Sequence, residues 1–481
     1  MRIISSSLAL VLFAAIASPS FAATTADDAT KLQKSLQIYF GKGADAVKIT
    51  PDGDGFKATL DFSAMLKNKP AGAELTISPI EFSLTPEGNG KWKVKHDGPL
   101  KLSSKVKDTL DISESFENYI IDGEFDEALG AFSTISATCR NIAVAENMKD
   151  PKGTQIKVDA KIDSLEVKGT SVANPAGGID FKFNEIIGPL AMTETVGGVA
   201  EAPLNIQFKI ATGTFDGGIS GLKSLAVLDL MKFLVAHADQ SALVKDQAAF
   251  KTLLTNFMPI FTNANGQGTL NKLEAQTPMG PATVEKINFG IDLNGAVKDG
   301  KLSETLGFEG IVFPKGLADM GTEGLLPKNA SVGFTVSGYD LDALAMTDIM
   351  ALDLSKNPPL PKQPPDEITQ IIMSKGTVDI AINKTSVSND TYNLTAEGSF
   401  AAGPKAQPTG KALVTAKGLD EVMKLMGSAP PEAGLQAGIP AIIAAKGMGK
   451  ASADGAVTWD IQATPDGKIT VNGVDVSKLA K

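Results

Sequence analysis

Apolar and polar residues take turns along most of the chain. Val47/Ile49, Ala58/Leu60/Phe62, Leu75/Ile77, Ile80/Phe82/Leu84, Trp92/Val94 and Leu100/Leu102 hold alternate positions with polar residues between them. Successive strand side chains point to opposite faces, so a period of two predicts strands with one buried and one wet face. The clusters 51–55, 86–90 and Asp97-Gly98-Pro99 predict turns between them, and hence an antiparallel meander. Alternation resumes at Ile156/Val158/Ala160/Ile162, Leu165/Val167, Ile179/Phe181/Phe183 and Leu204/Ile206/Phe208/Ile210. Parallel sheets, covered on both faces, read instead as continuous apolar runs.

Helical spacing is confined to shorter stretches. Leu32, Leu36, Tyr39 and Phe40 predict a helix over Lys31–Phe40, with Asp27 and Asp28 at its N-terminal end. Ser113–Leu129 is expected to form a helix on a loop-rich connection. Leu222–Ala238 and Ser241–Phe261, joined by a short polar turn, predict a helical hairpin over 221–262.

A repeat overlays these elements: a strand, two helices, then two strands. One copy runs from Leu204–Ile210 through the hairpin to 268–276 and 284–297. A second runs from Val332–Val336 to Thr391–Phe400, and a third from Ala412–Ala416 to 468–473. In the last two, the first strand leaves through Ser337-Gly338-Tyr339-Asp340 and Lys417-Gly418-Leu419-Asp420. The glycine lets the chain turn, and the Asp falls where a helix N-cap belongs. Such units do not close a core alone and must extend one another. The expected fold class is α+β: large, mostly antiparallel curved sheets with inserted helical hairpins, elongated, the helices covering one face or lying at one edge. Three regions are expected after a leader at 1–22: a β-meander region at 23–150, a β-rich unit at 151–325, and repeat units at 326–481. The five prolines of 357–365 exclude helix and central strand there, and mark a rigid excursion between two helices.

The leader rests on Arg2, the short apolar run Leu8–Ile16, and Ser20-Phe21-Ala22 as a cleavage site. It predicts an exported, periplasmic protein cleaved near Ala22. No later stretch has the roughly 18 uncharged apolar residues of a spanning helix. Lys+Arg total 45 against 55 Asp+Glu, a net charge of −10, with no basic block. Affinity for nucleic acid comes largely from neutralising phosphates, so such a partner is not expected. With one cysteine, Cys139, no intrachain disulfide is available, and stability must come from core burial.

The chain offers little chemistry. Its histidines are His96 and His237, and its arginines Arg2 and Arg140. Neither histidine has ligands at zinc spacing, and there is no Gly-x-Ser-x-Gly elbow and no phosphate loop. Ser104-Lys105-Val106-Lys107 has the Ser-x-x-Lys spacing of penicillin-recognising enzymes, but Leu100 and Leu102 place it on a strand. Asp52 and Asp54 read as a hairpin turn rather than a calcium loop. Lysines such as Lys91, Lys93 and Lys95 read as a solvated sheet face. No residue is assigned to catalysis, cofactor binding or a metal, and no cofactor is expected. A triad of dispersed residues would have to include His96 or His237. Cys139 reads as a small buried hydrophobe.

The strand exits at 337–340 and 417–420, with the closing segment Pro465-Asp466-Gly467-Lys468-Ile469-Thr470-Val471-Asn472-Gly473, resemble uncharacterised exported alphaproteobacterial proteins, the domain of unknown function 2125 family. More loosely, the chain resembles envelope proteins with AsmA-type repeats. This resemblance covers mainly the second half and supplies no catalytic residues. The sequence thus predicts a non-enzymatic periplasmic protein holding a hydrophobic or amphipathic ligand, such as a lipid, in a β-sheet groove. Helices rich in Leu, Phe and Met (among them Met231, Met258, Met346, Met350, Met373, Met423 and Met426) suit that role. The alternatives are an envelope protein acting only through protein partners, and a hydrolase with dispersed residues.

Overall fold

A computed structural model describes residues 24–61, 73–150, 153–197, 204–317, 322, 324–430 and 434–477. The leader at 1–22 lies outside the described residues. The fold is α+β, and every strand pairing named below is antiparallel. The chain forms two compact units: Met1–Ile206 with Thr212–Ala264 and Ala345–Pro361, and Gln207–Ala211 with Asn265–Leu344 and Lys362–Lys481.

The first unit opens with helix α1 (Ala26–Gln37), begun by a Thr25 side chain that accepts the Asp28 N–H. Its Ala29, Leu32 and Leu36 recur at helical spacing and are buried. They pack on the hairpin of β1 (Val47–Asp52) and β2 (Gly55–Leu60), whose Asp52 and Gly55 pair around a tight turn with Gly53 at positive φ. Gln33 of α1 accepts the Ile49 N–H at 2.9 Å, satisfying a strand amide. The unit continues with β3 (Ala73–Ile77), β4 (Ile80–Gly88), β5 (Lys91–Val106), β6 (Leu110–Asp126), β7 (Ala131–Lys149), β8 (Gln155–Ala173), β9 (Ile179–Ile187), β10 (Leu190–Gly197) and β11 (Leu204–Leu222). The ladder runs β1-β2-β4-β5-β6-β7-β8-β9-β11. Phe56, Phe82, Leu84, Val94, Trp92 and Phe125 form its core, each 2% exposed or less.

Two ladder positions are filled by interrupted strands. Strands β3 and β4 lie end to end beside β5, broken at Ser78-Pro79; β9 and β10 lie end to end beside β8, broken at Gly188-Pro189. Proline has no N–H to give a ladder, so each strand stops there and restarts. The strands between carry bulges on the same line. The register of β5 with β6 shifts between Gly98 and Leu100, and Glu117 and Asn141 stand unpaired where β6 meets β7. Asn141 adopts positive φ, and its amide donates to the Glu117 carboxylate at 2.7 Å.

Helices α2 (Ser224–Ala236), α3 (Gln240–Lys245) and α4 (Gln247–Phe257) follow β11, with α2 packed on α4 as the expected hairpin. The Ser224 hydroxyl donates to the Leu129 carbonyl at 2.5 Å, anchoring the start of α2 on the β6–β7 turn.

The second unit contains β12 (Asn263–Thr277), β13 (Gly280–Asn294), β14 (Gly300–Val312), β15 (Asn329–Tyr339), β16 (Val378–Ser388), β17 (Asn393–Gly403), β18 (Ala406–Lys417), β19 (Lys450–Ala451), β20 (Val457–Ala463), β21 (Ile469–Val471) and β22 (Val474–Asp475). From β13 to β18 each strand pairs with the next, and β18 pairs with β20. Helices α5 (Leu341–Ala351) and α6 (Pro365–Ile372) fall between β15 and β16; α7 (Leu419–Ser428) and α8 (Ile439–Met448) fall between β18 and β20. Each pair thus leaves one strand and returns to its ladder neighbour. With α2–α4 between β11 and β12, the order strand, helices, strand, strand occurs three times, as the repeat predicts, and the proline-rich stretch joins α5 to α6.

Four local expectations fail. Ser113–Leu129 is strand, not helix: it belongs to β6, where an extra residue against β5 puts Phe116 and Tyr119 three apart on one face, a spacing that imitates a helix. Asp97-Gly98-Pro99 is no turn but the bulge inside β5. The segments 156–162 and Leu165/Val167 are one strand, β8. Asp340 does cap its helix, accepting the Ala343 N–H at 2.9 Å. Asp420 does not: Gly418 takes the cap position at φ 77°, and Asp420 in the first turn pairs with Lys446 instead.

Candidate ligand-binding face

Residues paired opposite one another share a face of a sheet. In the second unit Leu293, Leu302, Val336, Ile380 and Phe400 therefore lie together. Beside them run Ile291, Glu304, Phe334 and Ile382, and next Phe289, Leu306 and Val332. The apolar face continues through Ala396, Val414 and Trp459 to β20. The opposite face is polar: the Ser303 and Thr335 hydroxyls lie 2.7 Å apart, and the Asn383 amide donates to Thr335 at 3.0 Å.

Among the described residues, several large side chains of this apolar face remain open. Val332 is 49% exposed, Leu394 41%, Leu306 38%, Ile291 37% and Ile382 36%. Contiguous exposed apolar patches are often interaction sites. The face is closed towards the start of β16, where Val378 is 7% exposed, and at its β20 margin, where the Trp459 indole N–H donates to the Ala445 carbonyl of α8 at 2.8 Å. Glu304 is the sole charged residue among the pairs just named. It is exposed and makes no hydrogen bond or ion pair among the described residues.

The first unit also has one apolar face, and its carboxylates stand out in the same way. Glu114 lies opposite Leu102 and Val144, and Glu185 opposite Val167 and Phe215. Burial raises the pKa of both. The other face holds a hollow of about 820 Å³ floored by Ser103, Ser113, Ser115, Ala143 and Ala145, with Lys101 and Lys161 beside them. Its small side chains leave the space open.

The residues singled out in the sequence do not converge. His96 lies in the first unit's core between the Phe82 and Tyr119 rings, each 5.2 Å away, with Nδ1 2.6 Å from the Glu81 carbonyl. Its Nε2 is buried and has no hydrogen-bond partner among the described residues. His237 ends α2, stacked on Phe233, with Nδ1 2.8 Å from the Phe233 carbonyl and Nε2 2.8 Å from Asp246. Cys139 is 7% exposed opposite Tyr119 and Leu165, and burial pushes its thiol up to about 11. That favours the inert thiol over the nucleophilic thiolate. Arg140 is exposed. Ser104 lies on β5, and Asp52 and Asp54 bracket the turn glycine of the first hairpin. Lys91 pairs with Glu124 at 2.7 Å and Lys93 with Asp122, on the solvated face. Glu304 is not among the residues that sequence pattern alone singles out. Its signal was the single acid interrupting the alternation Leu302, Leu306, Phe308.

Comparison with family models, with curated proteins and with solved structures found no match.

Proposed function

We propose that the protein is a non-enzymatic, exported carrier that holds a hydrophobic or amphipathic ligand of lipid class on the apolar face of its second unit. One observation carries this reading: an apolar face that runs over β13–β18, on which five large side chains, Ile291, Leu306, Val332, Ile382 and Leu394, remain 36–49% exposed. Covering a methylene of an alkyl chain is worth about 0.8 kcal/mol, so even a partly covered acyl chain gains several kcal/mol on such a surface. Among the described residues no helix is long and apolar enough to cross a membrane.

Displacement of a fluorescent fatty acid tests the proposal. The full chain should bind the probe saturably, and Val332→Lys or Leu306→Lys should weaken binding at least tenfold while leaving the circular dichroism spectrum unchanged. Binding unaltered by both substitutions would move the ligand elsewhere. A second reading, an apolar docking face for another envelope protein, is favoured by Ile443 and Met448 of α8, 58% and 42% exposed. It predicts concentration-dependent association without lipid uptake.

A further inference from the structure

We infer that the ligand on this face carries a cationic, hydrogen-donating head group, and that Glu304 is its anchor; this rests on the reading of the face as a lipid-binding surface. Glu304 stands between Ile291 and Phe334 across the ladder and between Leu302 and Leu306 along β14. The more exposed apolar side chains of the face, Ile291, Leu306, Val332 and Ile382, surround it. In the free protein its carboxylate is solvated. An alkyl chain laid across this surface would strip that water away, and an unpaired carboxylate under hydrocarbon is costly. The cost disappears if the ligand places a positive donor there, such as a primary ammonium, and lets its chain run over the neighbouring side chains.

Among the described residues the protein supplies no such partner itself. None of the residues paired around Glu304 is Lys or Arg. Lys384 sits at the bulge of β16 opposite Val332 and makes no ion pair with Glu304. A phosphate or sulfate head would meet a like charge at this position and no fork of donors. The geometry therefore selects an amine-bearing amphipath over an anionic one.

Calorimetric titration of the full chain with two twelve-carbon probes below their micelle concentrations, dodecylammonium and dodecyl maltoside, tests the assignment. The ammonium should bind roughly fivefold tighter than the maltoside at low salt. Glu304→Gln should remove that preference, the two probes then binding with similar affinity. Glu397→Gln, on the polar face opposite Leu413, controls for the general attraction of an acidic protein and should change neither. Equal affinities in the wild type, or a preference that survives Glu304→Gln, would overturn the anchor. Failure of the maltoside to bind at all would overturn the lipid-binding reading, and the inference with it.

Discussion

His237 illustrates how much one side chain's chemistry depends on its neighbours. Both ring nitrogens face acceptors, the Phe233 carbonyl and the Asp246 carboxylate, and only the protonated ring gives a hydrogen to each. Its pKa is raised from 6.5, first by the carbonyl and then by Asp246. A raised folded value means that the stabilisation is fully present below pH 6.5 and is lost as pH rises through the folded pKa. The imidazole resonance should titrate above 6.5, and Asp246→Asn should lower its midpoint; an unchanged midpoint would remove Asp246 from the account. Cys139 gives the opposite case. Burial favours its neutral form, so alkylation should be at least a hundredfold slower in the folded chain than in denaturant. Comparable rates would show that the core opens readily at β7. Cys139 read correctly from sequence because it lies in a run of small residues with no base nearby. Glu304 could not be read, because its meaning depends on partners supplied by β13 and β15.

At the scale of elements, alternation carried the strands and failed wherever the ladder slips. Phe116 and Tyr119 share a face only because β6 carries an extra residue there against β5, and no local signal tells such a bulge from a helical turn. Gly98-Pro99 has turn chemistry yet sits inside a strand, because its neighbours on both sides keep the β5 register with β6. The strand exits were legible for a firmer reason. Only glycine easily takes the positive φ of Gly338 and Gly418, and Asp340 then meets the helix amides. Asp340→Ala should destabilise the second unit by about 1 kcal/mol, the usual cost of a lost N-cap. Asp420→Ala, which loses only a solvent-exposed pairing, should cost about half as much or less. Denaturant unfolding compares the two, and equal losses would contradict the difference in their roles.

For the whole molecule, the contrast between sealed and open apolar surface decides the functional reading. In the first unit Phe82 is 1% exposed beneath tightly packed neighbours, and Phe82→Ala should cost about 3–5 kcal/mol, read as a lower unfolding midpoint. In the second unit Val332 and Leu306 are far less buried, and Lys at either position should cost little stability while spoiling the apolar face. Side-chain alternation revealed the one-sided strands; it did not reveal which faces would be covered, because coverage depends on where distant segments pack. Native mass spectrometry of the full chain purified from its own host tests the central claim most directly. The account predicts bound mass of lipid size that organic solvent releases and that is absent from Leu306→Lys protein. A wild-type chain that carries no such mass and takes none up from lipid vesicles would contradict it.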